Sequence, residues 1–265
     1  MDLRLQGKRA LVVGASEGMG KASALGLAAE GVHLGVVART EANLRPVADA
    51  ALAAGAKDVE VITADVTATG AAESVVAGFV ERTGGIDVLV NTVGLCEVVP
   101  EGILEQDDGY WDRAYHSVLM AGVRTCRAAV PVMLRQGGGA IVNLTAMSSR
   151  HYLPMMSHYS AMKAALGHFT KNLARQFGGQ GVRANAVLPG MIESDGVARR
   201  KAAKMTELGW NDDEFFAYVN DKYEHCTWGS RLGRPDEIAD AVVWLASDRA
   251  SYVNGVWLNV DGGST

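Results

Sequence analysis

Short runs rich in Val, Ile and Leu alternate along this chain with longer amphipathic stretches, and that rhythm leaves few folds open. Arg9–Val13, His33–Ala38, Val59–Thr63, Val88–Val90, Ala140–Leu144, Arg183–Leu188 and Val256–Val260 read as strands. They lack strict apolar/polar alternation, as strands covered on both faces do. Between them, Met19–Glu30, Glu41–Ala54, Ala71–Thr83, Asp107–Gln136, Ser157–Gly178 and Asp236–Ser247 read as helices. The punctuation agrees. Gly31 follows the first helix, Gly84-Gly85 the third, and Pro235 opens the last, where its missing N–H costs nothing. Strands alternating with helices predict an α/β fold, a doubly wound parallel sheet with right-handed crossovers. No linker or repeat divides the 265 residues, so 1–265 is expected to form one domain with one large core.

The first predicted strand runs into Gly14-Ala15-Ser16-Glu17-Gly18-Met19-Gly20, and a helix follows at once. A phosphate needs bare N–H groups and the positive end of a helix dipole. Glycines let the backbone approach a pyrophosphate with no Cβ in the way. In this strand–turn–helix context the spacing predicts a dinucleotide site of the Rossmann kind, with Gly14, Ser16, Glu17, Gly18, Met19 and Gly20 around the cofactor. The second strand ends in Val37-Ala38-Arg39-Thr40. Sites that prefer NAD place an acid there for the ribose 2′-OH; here Arg39 stands ready for a 2′-phosphate. NADPH is therefore expected over NADH, although Glu17 in the turn works against that phosphate.

A net charge of −5 and a pI near 5.7 argue against nucleic acid as a partner. No run of eighteen apolar residues and no signal h-region is visible, so a cytoplasmic protein without a membrane span is expected. Cys96, Cys126 and Cys226 are widely spaced, with no metal-ligand pattern, and read as reduced thiols.

Tyr159 and Lys163 stand four residues apart on one face of a predicted helix. A carbonyl reductase must deliver a proton to oxygen as well as a hydride to carbon. Tyrosine can supply that proton, but its free pKa is ~10. A neighbouring ammonium favours the phenolate, so Lys163 is expected to lower the Tyr159 pKa. Together with the glycine turn, Tyr159-Ser160-Ala161-Met162-Lys163 resembles the short-chain dehydrogenase/reductase family over roughly Leu5 to Gly263.

That resemblance implies further roles. Asp65-Val66 matches the family's adenine-contacting pair. Asn91-Thr92-Val93-Gly94 stands where Asn-Asn-Ala-Gly is usual, giving Asn91, Val93 and Gly94 to the cofactor. Pro189-Gly190-Met191-Ile192-Glu193-Ser194 matches the segment beside the nicotinamide, with Pro189 and Gly190 at its start and Ile192 and Ser194 at the carboxamide end. Met191–Ser230 corresponds to a helical lid over the substrate. Its Trp210, Phe215, Phe216, Tyr218, Tyr223 and Trp228 either line a cleft for an apolar or aromatic substrate or pack the lid itself. Arg199, Arg200, Lys201 and Lys204 in the lid either attract an acidic substrate or form a solvated face. The C-terminal Arg231–Pro235 and Asp261-Gly262-Gly263 also fit the family, which implies a homotetramer, or else a homodimer.

Departures from the pattern matter as much. Val13 replaces a usual threonine whose hydroxyl bonds nearby backbone. The usual catalytic serine, thirteen residues before Tyr159, is Ala146, which has no donor. Ser148, two residues on, can face the same side and is the expected substitute. The usual asparagine of the long fourth helix is Val118, so any kink caused by that side chain is expected to be gone. His116, His151 and His158 are nearby alternative acids, although a lone histidine is more often structural. Three functions fit: an NADPH-dependent ketone reductase (or secondary-alcohol dehydrogenase), a non-redox isomerase, dehydratase or cyclase, or a cofactor-binding protein without catalysis.

Overall fold

The computed structural model describes residues 1–223 and 231–264, with the side chains of 222 and 223 left aside. Seven parallel strands form one sheet in the order β3-β2-β1-β4-β5-β6-β7. They are β1 (Arg9–Val13), β2 (His33–Ala38), β3 (Asp58–Thr63), β4 (Val88–Asn91), β5 (Gly139–Leu144), β6 (Val182–Pro189) and β7 (Trp257–Val260). The order reverses between β1 and β4, and the crevice beyond the C-terminal ends of such strands is where open α/β sheets place ligands.

Alternate residues of each strand feed two cores. Ala10 and Val12 join α1 (Gly18–Ala29), α2 (Glu41–Ala54) and α9 (Pro235–Ala246) on one face. Leu11 and Val13 join α3 (Ala71–Thr83), α5 (Ala121–Arg135) and α6 (Ser157–Phe177) on the other. The stretch Asp108–Arg135 is long and apolar enough to cross a membrane by length and composition alone. Here its Ala121, Cys126, Ala129 and Met133 are buried against the sheet.

The single helix expected over Asp107–Gln136 is instead α4 (Asp108–Ala114), a π-helical turn (Tyr115–Met120) and α5. The irregularity expected to vanish with asparagine is therefore present without it. The Ala121 N–H reaches back five residues to the His116 carbonyl, and the Ser117 hydroxyl takes up the Arg113 carbonyl at 2.7 Å. Val118, only 1% exposed, anchors the widened turn in the interior. Such turns cluster at functional sites.

Beneath the crevice lies a buried polar network. Asn91 and Asn143 are register partners on β4 and β5, and the Asn91 amide donates to Asn143 at 2.8 Å. Thr125 of α5 donates to Asn91, and Asn143 donates to Thr170 of α6, both at 2.8 Å. Fully paired networks of this kind rigidify what they join. Thr170 lies two turns beyond Lys163 on α6, so the network fixes the helix that carries the lysine.

The lid segment forms α7 (Asp195–Leu208) and α8 (Asp212–Tyr223). Its base is closed by a bridge between Ile192 and Gly233. Of the two roles left open for the lid aromatics, packing of the lid itself is the one seen for those described. Phe215 is 5% exposed and packs with Val219 and Leu232, with Trp210, Phe216 and Tyr218 around them. The side chain of Tyr223, and Trp228, lie outside the described residues.

Candidate active site

The glycine turn fits a nucleotide by exclusion of side chains. Gly14 has φ +92°, and a Cβ there would lie 2.5 Å from the Thr92 hydroxyl. A Cβ on Gly20 would lie 2.1 Å from the Gly14 carbonyl. Thr92 performs the task that Val13 cannot. Its hydroxyl lies 2.8 Å from the Val13 carbonyl and 3.1 Å from that of Gly14, pinning the turn from the neighbouring strand. Gly20→Ala is expected to cost about 1–3 kcal/mol through overpacking. Thermal unfolding reads this directly, and a variant as stable as the parent would contradict the packing described.

The lid docks on this turn. The Gly18 N–H, at the start of α1, donates to the Asp195 carboxylate at 2.6 Å. One turn along α7, Arg199 pairs with Glu17 at 3.2 Å. An N–H at a helix N-terminus receives anions readily, and here a lid carboxylate takes it. Neither contact was foreseen, because the partners are 177 and 182 residues apart.

The other proposed cofactor residues divide by what they expose. Arg39 is exposed and makes no hydrogen bond or ion pair among the described residues. Asp65 accepts from the Thr67 hydroxyl and N–H, at 2.7 and 2.9 Å. Those bonds, with Arg39 adding, hold its carboxyl below the usual carboxylate range. Ser16, Met19 and Ser194 are partly exposed around the turn. Val66 and Ile192 are buried core side chains, leaving their backbone to the crevice. Asn91 is likewise buried, its amide taken up by the network below. The Val93 side chain packs toward the core, and a Cβ on Gly14 would lie 3.2 Å from both its Cγ2 and its N. Gly190, after Pro189, needs its bare Cα because Asp261 passes at 2.7 Å from any Cβ.

On the catalytic face, Lys163 is 3% exposed and donates to the Leu144 carbonyl at 2.7 Å. Its ammonium lies 5.6 Å from the centroid of the Tyr159 ring. A Cβ on Gly94 would come within 3.1 Å of that nitrogen and 3.5 Å of Val118. The π turn, β4 and β5 thus converge on one cation.

One expectation is corrected here. Burial pushes the Tyr159 phenol above its ordinary pKa, and Lys163, which donates to the Leu144 carbonyl, does not reverse that. The phenol hydroxyl makes no hydrogen bond among the described residues and holds its proton at working pH. Burial also brings Lys163 down to about 8.

Ala146 offers no donor, but the hydroxyl of Ser148 is buried without any hydrogen-bond partner, in a short 3-10 turn (Met147–Ser149) that packs on α6. Buried hydroxyls are nearly always paired, yet those of Ser149 and Ser160 are also buried orphans among the described residues. His158 has a buried orphan at Nε2. It is fully buried, its Nδ1 bonds Gln106 at 2.9 Å, and burial lowers its pKa. Gln106 also accepts from the His158 N–H at 3.2 Å, capping the start of α6. His116 is exposed and meets Tyr115 edge to face, whereas the Nε2 of His151 is a buried orphan.

Similar proteins are known along the whole chain. The protein-family model described as enoyl-(acyl carrier protein) reductase matches residues 14–265. The 2-keto-3-deoxy-L-fuconate dehydrogenase of Xanthomonas campestris is 36% identical over 263 residues, covering 99% of this chain and 81% of that one. The 2-(R)-hydroxypropyl-CoM dehydrogenase of Xanthobacter autotrophicus is 34% identical, covering 97% of this chain and 98% of its own. The crystal structure of L-sorbose reductase from Gluconobacter frateurii, complexed with NADPH and L-sorbose, superposes with a TM-score of 0.92. It is 33% identical, with 100% of this chain and 98% of that one covered.

Proposed function

This chain belongs to the short-chain dehydrogenase/reductase family, and from that premise we propose that it reduces a ketone with NADPH, or oxidises the matching secondary alcohol, with Tyr159 carrying the proton. Its relatives are named dehydrogenases and reductases, and solved neighbours hold NADPH or NADH. The observation that carries the reading is the Tyr159 hydroxyl, unpartnered, protonated and set beside a buried cation.

When bound, the nicotinamide supplies the hydride. The chain's own residues do the rest. Gly14, Gly18 and Gly20 admit the dinucleotide to the start of α1, and Gly190 lets its segment pass close to Asp261. Tyr159 donates its proton from Oη to the ketone oxygen. Lys163, oriented by the Leu144 carbonyl, stabilises the phenolate left behind and can itself exchange a proton near neutral pH. Ser148 supplies the second donor to that oxygen, replacing the serine absent at 146.

NADPH preference is supported by the free Arg39 and by Arg199, which neutralises the one acid in the turn. Arg39→Ala is expected to lower kcat/KM for NADPH by about 10- to 100-fold, the worth of a charged hydrogen bond, with NADH little affected. An equal loss with both cofactors would contradict the assignment. An apolar ketone body is supported by Leu95, Cys96 and Met156. Leu95 is 49% exposed beside Gly94, and the Cys96 sulfur lies 3.4 Å from that of Met156. The family's homotetramer, with a homodimer as the smaller form, belongs to the same proposal. The test is NADPH oxidation by the purified protein against a panel of apolar ketones, with the alcohols identified. NADPH binding without reduction of any ketone would overturn the reading.

A further inference from the structure

Resting on the dinucleotide reading of the glycine turn, we propose that Asp195 latches the lid in the cofactor's place. Its carboxylate and a phosphate of the dinucleotide compete for the Gly18 N–H, so α7 leaves the turn when the dinucleotide binds. Gly18 opens α1, and its N–H is one of the donors that no helical carbonyl satisfies. Such donors suit a phosphate. Here the Asp195 carboxylate accepts from it at 2.6 Å. One N–H cannot serve both anions, and like charges brought to one cradle repel.

Little else holds α7 to the body. None of its fourteen residues is buried. Val197, partly buried, packs on the lid's own core around Phe215 and Leu232. Lys201 pairs within the lid, with Glu193 at 2.8 Å and Asp212 at 2.9 Å, and Lys204 pairs with Glu207 at 3.1 Å. The second tie to the turn is the Arg199–Glu17 pair at 3.2 Å. Its side chains are 67% and 58% exposed, where water and salt leave an ion pair weak. The Asp195 bond therefore bears most of the docking.

The lid's base is held separately. The Glu193 N–H donates to the Gly233 carbonyl at 2.8 Å, and the Gly233 N–H to the Met191 carbonyl at 3.0 Å. Ser194 alone separates this bridge from the latch, and its Cβ lies 3.3 Å from where a Cβ on Gly18 would be. The pivot is thus at Ser194, against the turn itself. Latch and ligand share one equilibrium: the closed fraction lowers the apparent dinucleotide affinity, and bound dinucleotide raises the open fraction by the same factor.

Two measurements without any ketone test this. NADPH binding is titrated by its fluorescence, and the lid is probed with trypsin, to which α7 offers Arg199, Arg200, Lys201 and Lys204. A helix this short frays once undocked, and cleavage reports the open population. Asp195→Asn keeps the shape and removes the charge. It is expected to lower the Kd for NADPH by about 10-fold, since a charged hydrogen bond is roughly twice as strong as a neutral one. Saturating NADPH raises the cleavage rate of the wild-type lid several-fold, whereas Asp195→Asn is cut fast without NADPH and gains little from it. Glu207→Gln, which removes a lid carboxylate paired with Lys204 instead, leaves both measurements unchanged. A wild-type lid that NADPH protects or leaves unaltered, or an Asp195→Asn Kd that is unchanged or weaker, would show that Asp195 only fastens the lid and would overturn the latch. NADPH bound and the lid released, with no ketone reduced, would sink the reductase reading alone. NADPH binding to neither protein would sink both.

Discussion

Tyr159→Phe lowers kcat/KM for ketone reduction by about 10²–10⁴-fold, the usual worth of a positioned general acid, while the protein stays folded and still binds NADPH. The hydroxyl makes no internal bond among the described residues, so its removal leaves no orphan behind. Lys163→Met is expected to be equally inactive yet more stable. Burial of an ammonium is unfavourable, and the depressed pKa of Lys163 records that cost. Relief of each kcal/mol raises the melting temperature by about 2–4 °C for a domain of this size. The sign extends to pH. Between about 8 and 10.5 the unfolded chain holds a proton that folded Lys163 has released, so the wild type gains stability as pH rises through that window. Reduction runs the other way and declines above about 8 as the cation is lost. Calorimetry and initial rates on the same samples check both. A Lys163→Met protein less stable than the parent would contradict the burial argument.

Ser148→Ala lowers kcat by about 10²–10³-fold, as loss of one donor to a reacting oxygen does elsewhere. The prediction rests on two facts together. Ala146 has nothing to donate, and the Ser148 hydroxyl is buried without a partner. Ser149 and Ser160 share that orphan state among the described residues, and Ser148 is singled out by lying two residues beyond Ala146. Ala146→Ser in the Ser148→Ala background should recover much of the lost rate, because a donor returns to the face of Tyr159. Ser148→Ala with full activity, together with an inert Ala146→Ser, would show that the ketone oxygen needs no second donor here.

Much of the fold was legible because it rests on local pattern. Glu41–Ala54 and Ala71–Thr83 are helices with the bounds that periodicity and flanking glycines predict, and the strands shift by a residue at most. The Tyr-Lys pair is legible for the same reason, since two residues one helical turn apart cannot avoid sharing a face. Contacts between distant segments were not. The Thr92 hydroxyl standing in for the one that Val13 lacks leaves only a paired departure from pattern at positions 13 and 92. The π turn depends on how Val118 packs below Gly94, which no window of sequence contains. The Tyr159 pKa was misjudged because spacing places Lys163 near the ring but does not show the burial that raises the phenol.

Isotope transfer tests hydride chemistry on this face most directly. The protein is incubated with NADPH deuterated at the transferring carbon of the nicotinamide and with a ketone mixture, and products are read by mass spectrometry. A secondary alcohol carrying one deuterium on its carbinol carbon, absent with Tyr159→Phe, is the predicted result. A substrate isomerised or dehydrated with no deuterium gained, and the cofactor returned unchanged, would contradict it.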